Sequence, residues 1–175
     1  MRTSLLIISL LISFCPALIG QHNLFIQFGK SANEVKSFLY SRDYVDDVKE
    51  DSEMGSLRVA LDPNKHIEYG FIQDRHYSTT ITRNYTNRKT AKDVEKNCLS
   101  YMNSVKTSEI KLNEVEKISC YTAIADDKII KLFIIRHPES ITLTLAAFSR
   151  YFGPMQQESR FFYEVDLLER IYAAN

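Results

Sequence analysis

The chain has 175 residues, 45% hydrophobic and 25% charged, with 22 Lys plus Arg against 22 Asp plus Glu. A chain of this length can bury roughly two-thirds of the surface its unfolded form exposes, so it needs neither a metal nor a dense disulfide framework to fold. The balanced charge supplies no general drive toward nucleic acid, and no zinc-finger spacing is present.

Residues 1–20 read as a signal peptide: Arg2, an apolar run beginning at Leu5, and small residues at Cys15, Ala17 and Gly20. Cleavage near Gln21 would leave a single α+β domain over 21–175, exported to a periplasmic, cell-envelope or extracellular setting. Phe14 stands where lipid-attachment processing wants a small residue, which argues against a lipid anchor on Cys15. The apolar run is also short for a hydrocarbon core that takes about 20 residues, and no later stretch approaches that length. The expected product therefore has no membrane span after cleavage.

Ser31 with Glu34 forms a capping box, and Val35, Phe38 and Leu39 follow on one side, predicting a short helix that ends near Arg42. Residues 44–49 read as an extended edge segment and 51–55 as a polar turn. Alternation then predicts strands at 57–61, 66–72 and 77–85, separated by turns at 62–65 and at Asp74-Arg75. A three-residue loop that includes His76 is favoured over a two-residue loop, because it gathers Ile67, Tyr69, Phe71, Tyr77 and Ile81 on one face.

Thr90 with Asp93 signals a second helix, whose inward side is Val94, Cys98, Met102 and Val105. Strand character resumes over 115–124, 129–135 and 141–148, with reversals at 126–128 and 137–140. In the last strand Ile141, Leu143 and Leu145 face one way and Thr142, Thr144 and Ala146 the other. After Gly153-Pro154, the residues Phe161, Val165, Leu168 and Tyr172 fit a C-terminal helix, while the alternation over 161–165 leaves a strand open.

Short connections between consecutive strands favour antiparallel pairing, since parallel crossovers need a dozen or more residues. The expected architecture is an antiparallel sheet packed by helices on one face. Helix followed by strands occurs twice, so 31–85 and 90–148 are candidate half-repeats.

Chemistry is sparse. Outside the cytoplasm Cys98 and Cys120 are candidates for one disulfide, whose loop would contribute about 3 kcal/mol if its geometry is unstrained. Cys98 sits mid-helix on the apolar side, the wrong place for an activated thiolate. His22, His66, His76 and His137 lack metal-ligand spacing, although His66 and His76 could approach across a hairpin. The acidic stretch 46–53 does not match an EF-hand, and Glu68 or Glu164 would need a carboxylate or other partner that spacing does not locate. Neither a metal nor a cofactor is expected. Asn84-Tyr85-Thr86 is a glycosylation sequon expected to be accessible at a strand end.

The strongest candidate contact surface combines Tyr69, Phe71, Tyr77, Arg83 and Tyr85 of the hairpin with Arg88, Lys89 and Lys92 beyond it. Tyrosine rings with polar tips and arginine side chains suit recognition of an extracytoplasmic protein or an envelope glycan. The expected function is thus a non-catalytic binding or structural module. A small secreted hydrolase, or an inhibitor acting through a hairpin or the acidic loop, are the alternatives, and a deep polar pocket or an exposed rigid loop would distinguish them.

Overall fold

The computed structural model describes residues 27–41, 48–51 and 55–151. The expected signal peptide, His22, half of the acidic stretch 46–53, Glu164 and the C-terminal helix expected at 161–172 lie outside them.

The sequence of elements is α1 (Ala32–Tyr40), β1 (Val48–Asp51), β2 (Ser56–Asp62), β3 (Lys65–Ile72), β4 (Arg75–Tyr85), α2 (Arg88–Val105), β5 (Lys111–Val115), β6 (Ile118–Ile124), β7 (Lys128–Arg136) and β8 (Ile141–Ser149). All eight strands form one sheet in the order β1-β2-β3-β4-β8-β7-β6-β5, with every pairing antiparallel. Both helices pack on the same face. Val35 and Leu39 of α1 and Val94, Cys98 and Met102 of α2 share one buried cluster with Ile67, Ile81, Leu132, Leu143 and Leu145. The chain is therefore an α+β fold, an eight-stranded antiparallel sheet packed against two helices.

Local chemistry sets the helix ends. Ser31 Oγ accepts from Glu34 N at 3.2 Å while Glu34 Oε2 accepts from Ser31 N at 2.9 Å, completing the capping box. Helix α2 starts earlier than Thr90 signals, because Asn87 Oδ1 accepts from Lys89 N at 2.9 Å and Thr90 N at 3.1 Å. Asparagine is the stronger cap and gives a longer helix, despite the two basic residues that follow it. The strand expected over 115–124 is also two strands: Glu116 adopts φ 49°, and the chain reverses there to pair Val115 with Ile118.

The β3–β4 hairpin differs from expectation in an instructive way. Its turn is Gln73-Asp74, with φ 49° and 56°, and Ile72 pairs Arg75 across this two-residue loop. Left-handed φ at both positions matches the twist of antiparallel strands. Register then shifts beyond Gly70, so that Phe71 opposes His76 while Gly70 opposes Ser78. Tyr77 is the extra residue of a bulge. Ile67, Tyr69 and Phe71 do end on the helix-bearing side with Ile81, but the bulge sends Tyr77 to the other side, where it packs with Ala146 and Phe148. His76 takes the vacated place against the rings of Tyr69 and Phe71.

The bulge requires a bare backbone opposite it. A Cβ on Gly70 would lie 2.4 Å from Ser78 Oγ and 3.1 Å from a Tyr77 ring carbon. Gly70→Ala is expected to destabilise the fold by about 1–3 kcal/mol through overpacking, and Ser78→Ala in the same chain to restore part of it. Urea denaturation of the two variants checks this.

Candidate functional site

The hairpin is anchored to α1 at its tip. Gly29 N donates to His76 O at 2.8 Å, His76 N donates to Lys30 O at 2.7 Å, and Ala32 N donates to Asp74 Oδ1 at 2.9 Å. The last bond satisfies one of the donors that a helix start leaves open. His76 is fully buried, with Nε2 2.9 Å from both Ser78 O and Thr79 Oγ1 and Nδ1 3.3 Å from Gln27 O. Burial pushes its imidazole below the usual range, while the carbonyls of Gln27 and Ser78 oppose that shift. This histidine ties the 27–31 segment to β4.

The tyrosines expected to form a contact surface are core residues. Tyr69 is 0%, Tyr77 4% and Tyr85 7% exposed. Tyr69 and Tyr77 moreover occupy opposite sides of the sheet, so these rings do not assemble one outer surface. Arg83 lies 5.3 Å over the Tyr85 ring as a cation–π pair and opposes Lys65 across the β3–β4 ladder. Lys65 is itself buried, and burial, reinforced by Arg83, depresses its ammonium pKa. Sequence reading missed this pair, since which residues face one another depends on the bulge.

What remains exposed is basic. Arg88, Lys89, Lys92 and Lys96 are all exposed on α2, and Arg88, Lys92 and Lys96 follow one another at four-residue steps. The core side of the same helix is Ala91, Val94, Cys98 and Met102. The cations thus lie along the solvent side of its first turns, with Asp93 and the half-buried Glu95 as acidic neighbours. No acidic residue occupies the first turn. Arg88 Nη2 also donates to Pro138 O at 2.8 Å, fixing the helix start against the β7–β8 loop. Lys96 completes a ridge that the sequence pattern supports once the helix is known to begin at Arg88.

The cysteines do not form the expected bridge. The two are not bonded to each other; Cys98 is buried and Cys120 half-buried. The reason is strand parity: Ala123 faces the helices, so Cys120, an odd number of residues away, faces outward and packs with Phe133 and Ile135. Cys98 belongs to the helix-side core, with the sheet between them. Burial raises the Cys120 thiol pKa, partly offset by Lys131, which opposes thiolate chemistry.

The other candidates are likewise dispersed. His66 opposes Thr82 on the outward side while His76 is on the inward side, so the two do not meet. Glu68 pairs with Arg58 and Thr80 across neighbouring strands. Asn84 lies within β4 opposite Thr142 rather than beyond the strand, and its Oδ1 is buried, so the sequon is not presented on an open loop. Among the described residues no group of three or more His, Cys, Asp or Glu could hold a metal, and no helix is long and apolar enough to cross a membrane.

Two measurements follow from these placements. With Cys98 and Cys120 on opposite sides of the sheet, added reductant should leave the melting temperature unchanged; a fall of several degrees would indicate a bridge between them. Acid should act through the histidines. Burial, with Arg58 nearby, pushes His66 down to about 4, and His76 is lowered as well. Above pH 6.5 neither folded nor unfolded chain binds these protons; below it the unfolded chain takes them up first, so stability falls from pH 6.5 toward about 4. Glu34, held down to about 2 chiefly by Lys30, adds its own loss as pH falls from 4.5 toward about 2, at the acid end of that window and beyond it. Urea midpoints at successive pH values should therefore decline over the histidine window, and His66→Gln should flatten the decline.

The chain matches no protein-family model, no curated protein and no solved structure.

Proposed function

We propose that this chain is an exported, non-catalytic binding module that recognises acidic groups on an extracytoplasmic protein or envelope glycan through the basic ridge of α2. The observation that carries the reading is the placement of Arg88, Lys89, Lys92 and Lys96 on the exposed side of a helix whose first turn holds no acid. Cations near a helix N-terminus oppose the macrodipole by about 0.3–1 kcal/mol each, and like charges four residues apart repel by about 0.2–0.5 kcal/mol. Lys89 with Asp93 and Lys92 with Glu95 stand at attractive spacings that offset part of this, so helix stability by itself gives no reason for the run of cations. An acidic partner converts the same repulsion into attraction and orients the encounter.

Export is supported by the signal-like residues 1–20. The buried hairpin tyrosines serve this reading as scaffold, since they hold the sheet on which α2 rests. Arg83 and Tyr85 make a stacked pair within that scaffold. Affinity would come from the lysines and from whatever apolar contact the partner adds, with the ridge setting orientation.

The test is a charge reversal that should not harm the fold. Lys89→Glu, Lys92→Glu and Lys96→Glu together put one acid in the first turn, where the dipole favours it, and exchange repulsion among cations for a similar repulsion with Asp93 and Glu95, so thermal stability should change little. Capture of partners from the extracytoplasmic fraction, and retention on an immobilised acidic polypeptide or anionic polysaccharide, should fall at least tenfold and weaken with salt in the parent chain. Unchanged, salt-insensitive capture by the reversed variant would overturn the proposal.

A further inference from the structure

The two faces of the sheet are unequal in a way the two helices do not explain. On the face away from them, the strands nearest β1 carry Lys49, Arg58, Glu68, Thr80 and Thr82, residues suited to water. Across β6, β7 and β8 the same face carries Ile118, Cys120, Ile129, Phe133, Ile135 and Phe148, interrupted by Lys131 and by Thr122, Thr142 and Thr144. Phe133 is 1% and Ile135 2% exposed, although α1 and α2 pack on the opposite side. An uncovered sheet face does not exclude solvent from a phenylalanine ring at that level. A covering layer is required over this half of the sheet.

We propose that residues 152–175 supply that layer, docking as an amphipathic segment across β6, β7 and β8. The chain leaves β8 after Ser149, beside Phe148 and at one end of the apolar strip. From there the strip runs back along β8 from Phe148 to Thr142, which is about 20 Å at strand rise. A helix over 161–172 would be about 18 Å long. Its residues Phe161, Val165, Leu168 and Tyr172 share one side, and the rest of its circumference carries Glu164, Asp166, Glu169 and Arg170 together with Phe162, Tyr163, Leu167 and Ile171. Gly153-Pro154 lies in the connection, where a reversal is needed to bring the segment back over the sheet. Length, exit point and periodicity thus agree with one another. The segment is tethered to its docking site, which favours it over a free partner of equal chemistry.

Cys120 lies within the strip and reports on its cover. In the full chain, Phe161→Asp with Leu168→Asp should raise the alkylation rate of Cys120 at least tenfold, read peptide by peptide, while Cys98 in the helix-side core stays protected. An unchanged Cys120 rate with Cys98 protected would overturn the proposal. So would a parent Cys120 rate that falls as protein concentration rises, the mark of a second copy as the cover. A complementary measurement avoids loss of folding: single cysteines at 161, 165, 168 and 172 are introduced in otherwise unchanged chains and mildly oxidised. A disulfide from at least one of them to Cys120 is expected, and none from any of the four would overturn the proposal.

Discussion

The pairing of β4 with β8 holds the architecture together. Each of these strands ends a run of four consecutive antiparallel strands, and each would be an open sheet edge without the other. Their ladder joins Ser78 to Phe148 at one end and Tyr85 to Ile141 at the other. On the helix-bearing side it sets Ile81 against Leu145; on the other, Thr82 Oγ1 lies 3.1 Å from Thr144 Oγ1. A cross-strand pair of either kind contributes about 0.2–1 kcal/mol, so several in succession outweigh the modest entropy of closing the long connection. Because α2 rests over β4, β7 and β8, the helix packs across the seam and couples the two runs of strands.

Much of this was readable because alternation and caps are local. The capping box at Ser31, the inward side of α2 and the division of β8 into Leu-rich and Thr-rich faces need only a few neighbouring residues to be recognised. The bulge at Tyr77 was not readable in the same way. Its cause is the fit of a two-residue turn to strands that must keep Ile67 opposite Ile81, and that demand arises only after the strands pair. Gly70 is its trace in sequence, yet a lone glycine in a strand has several meanings. The break at Glu116-Lys117 was hidden for a related reason: neither residue is a usual turn former, and the pairing of β5 with β6 imposes the left-handed conformation.

The site residues show how placement follows from parity. A tyrosine on a strand is legible as amphipathic but not as inward or outward until register is known, and register buried Tyr69, Tyr77 and Tyr85. The same rule separates Cys98 from Cys120. A helix covering a sheet brings its apolar side near only half of each strand's residues, so a helix cysteine and a strand cysteine meet only when the strand residue has the right parity. Basic residues on a helix carry a less ambiguous message, because the solvent side of α2 follows from its own core side without reference to the sheet.

On the proposed reading, the exposed basic ridge and the buried aromatic layer divide the work between them. A core built from Tyr69, Ile81, Leu132, Leu143 and Met102 fixes the orientation of α2 to the precision of side-chain packing. A helix held that firmly tolerates an unfavourable charge pattern on its outer side, since tertiary packing rather than intrinsic propensity supplies most of its stability. Repulsion among Arg88, Lys92 and Lys96 therefore need not fray the helix, particularly with Asn87 capping its start and Arg88 held by Pro138 O. The cations remain at spacings set by the helix even without a partner, so an acidic surface would meet an array already in place and would avoid the entropy of assembling it.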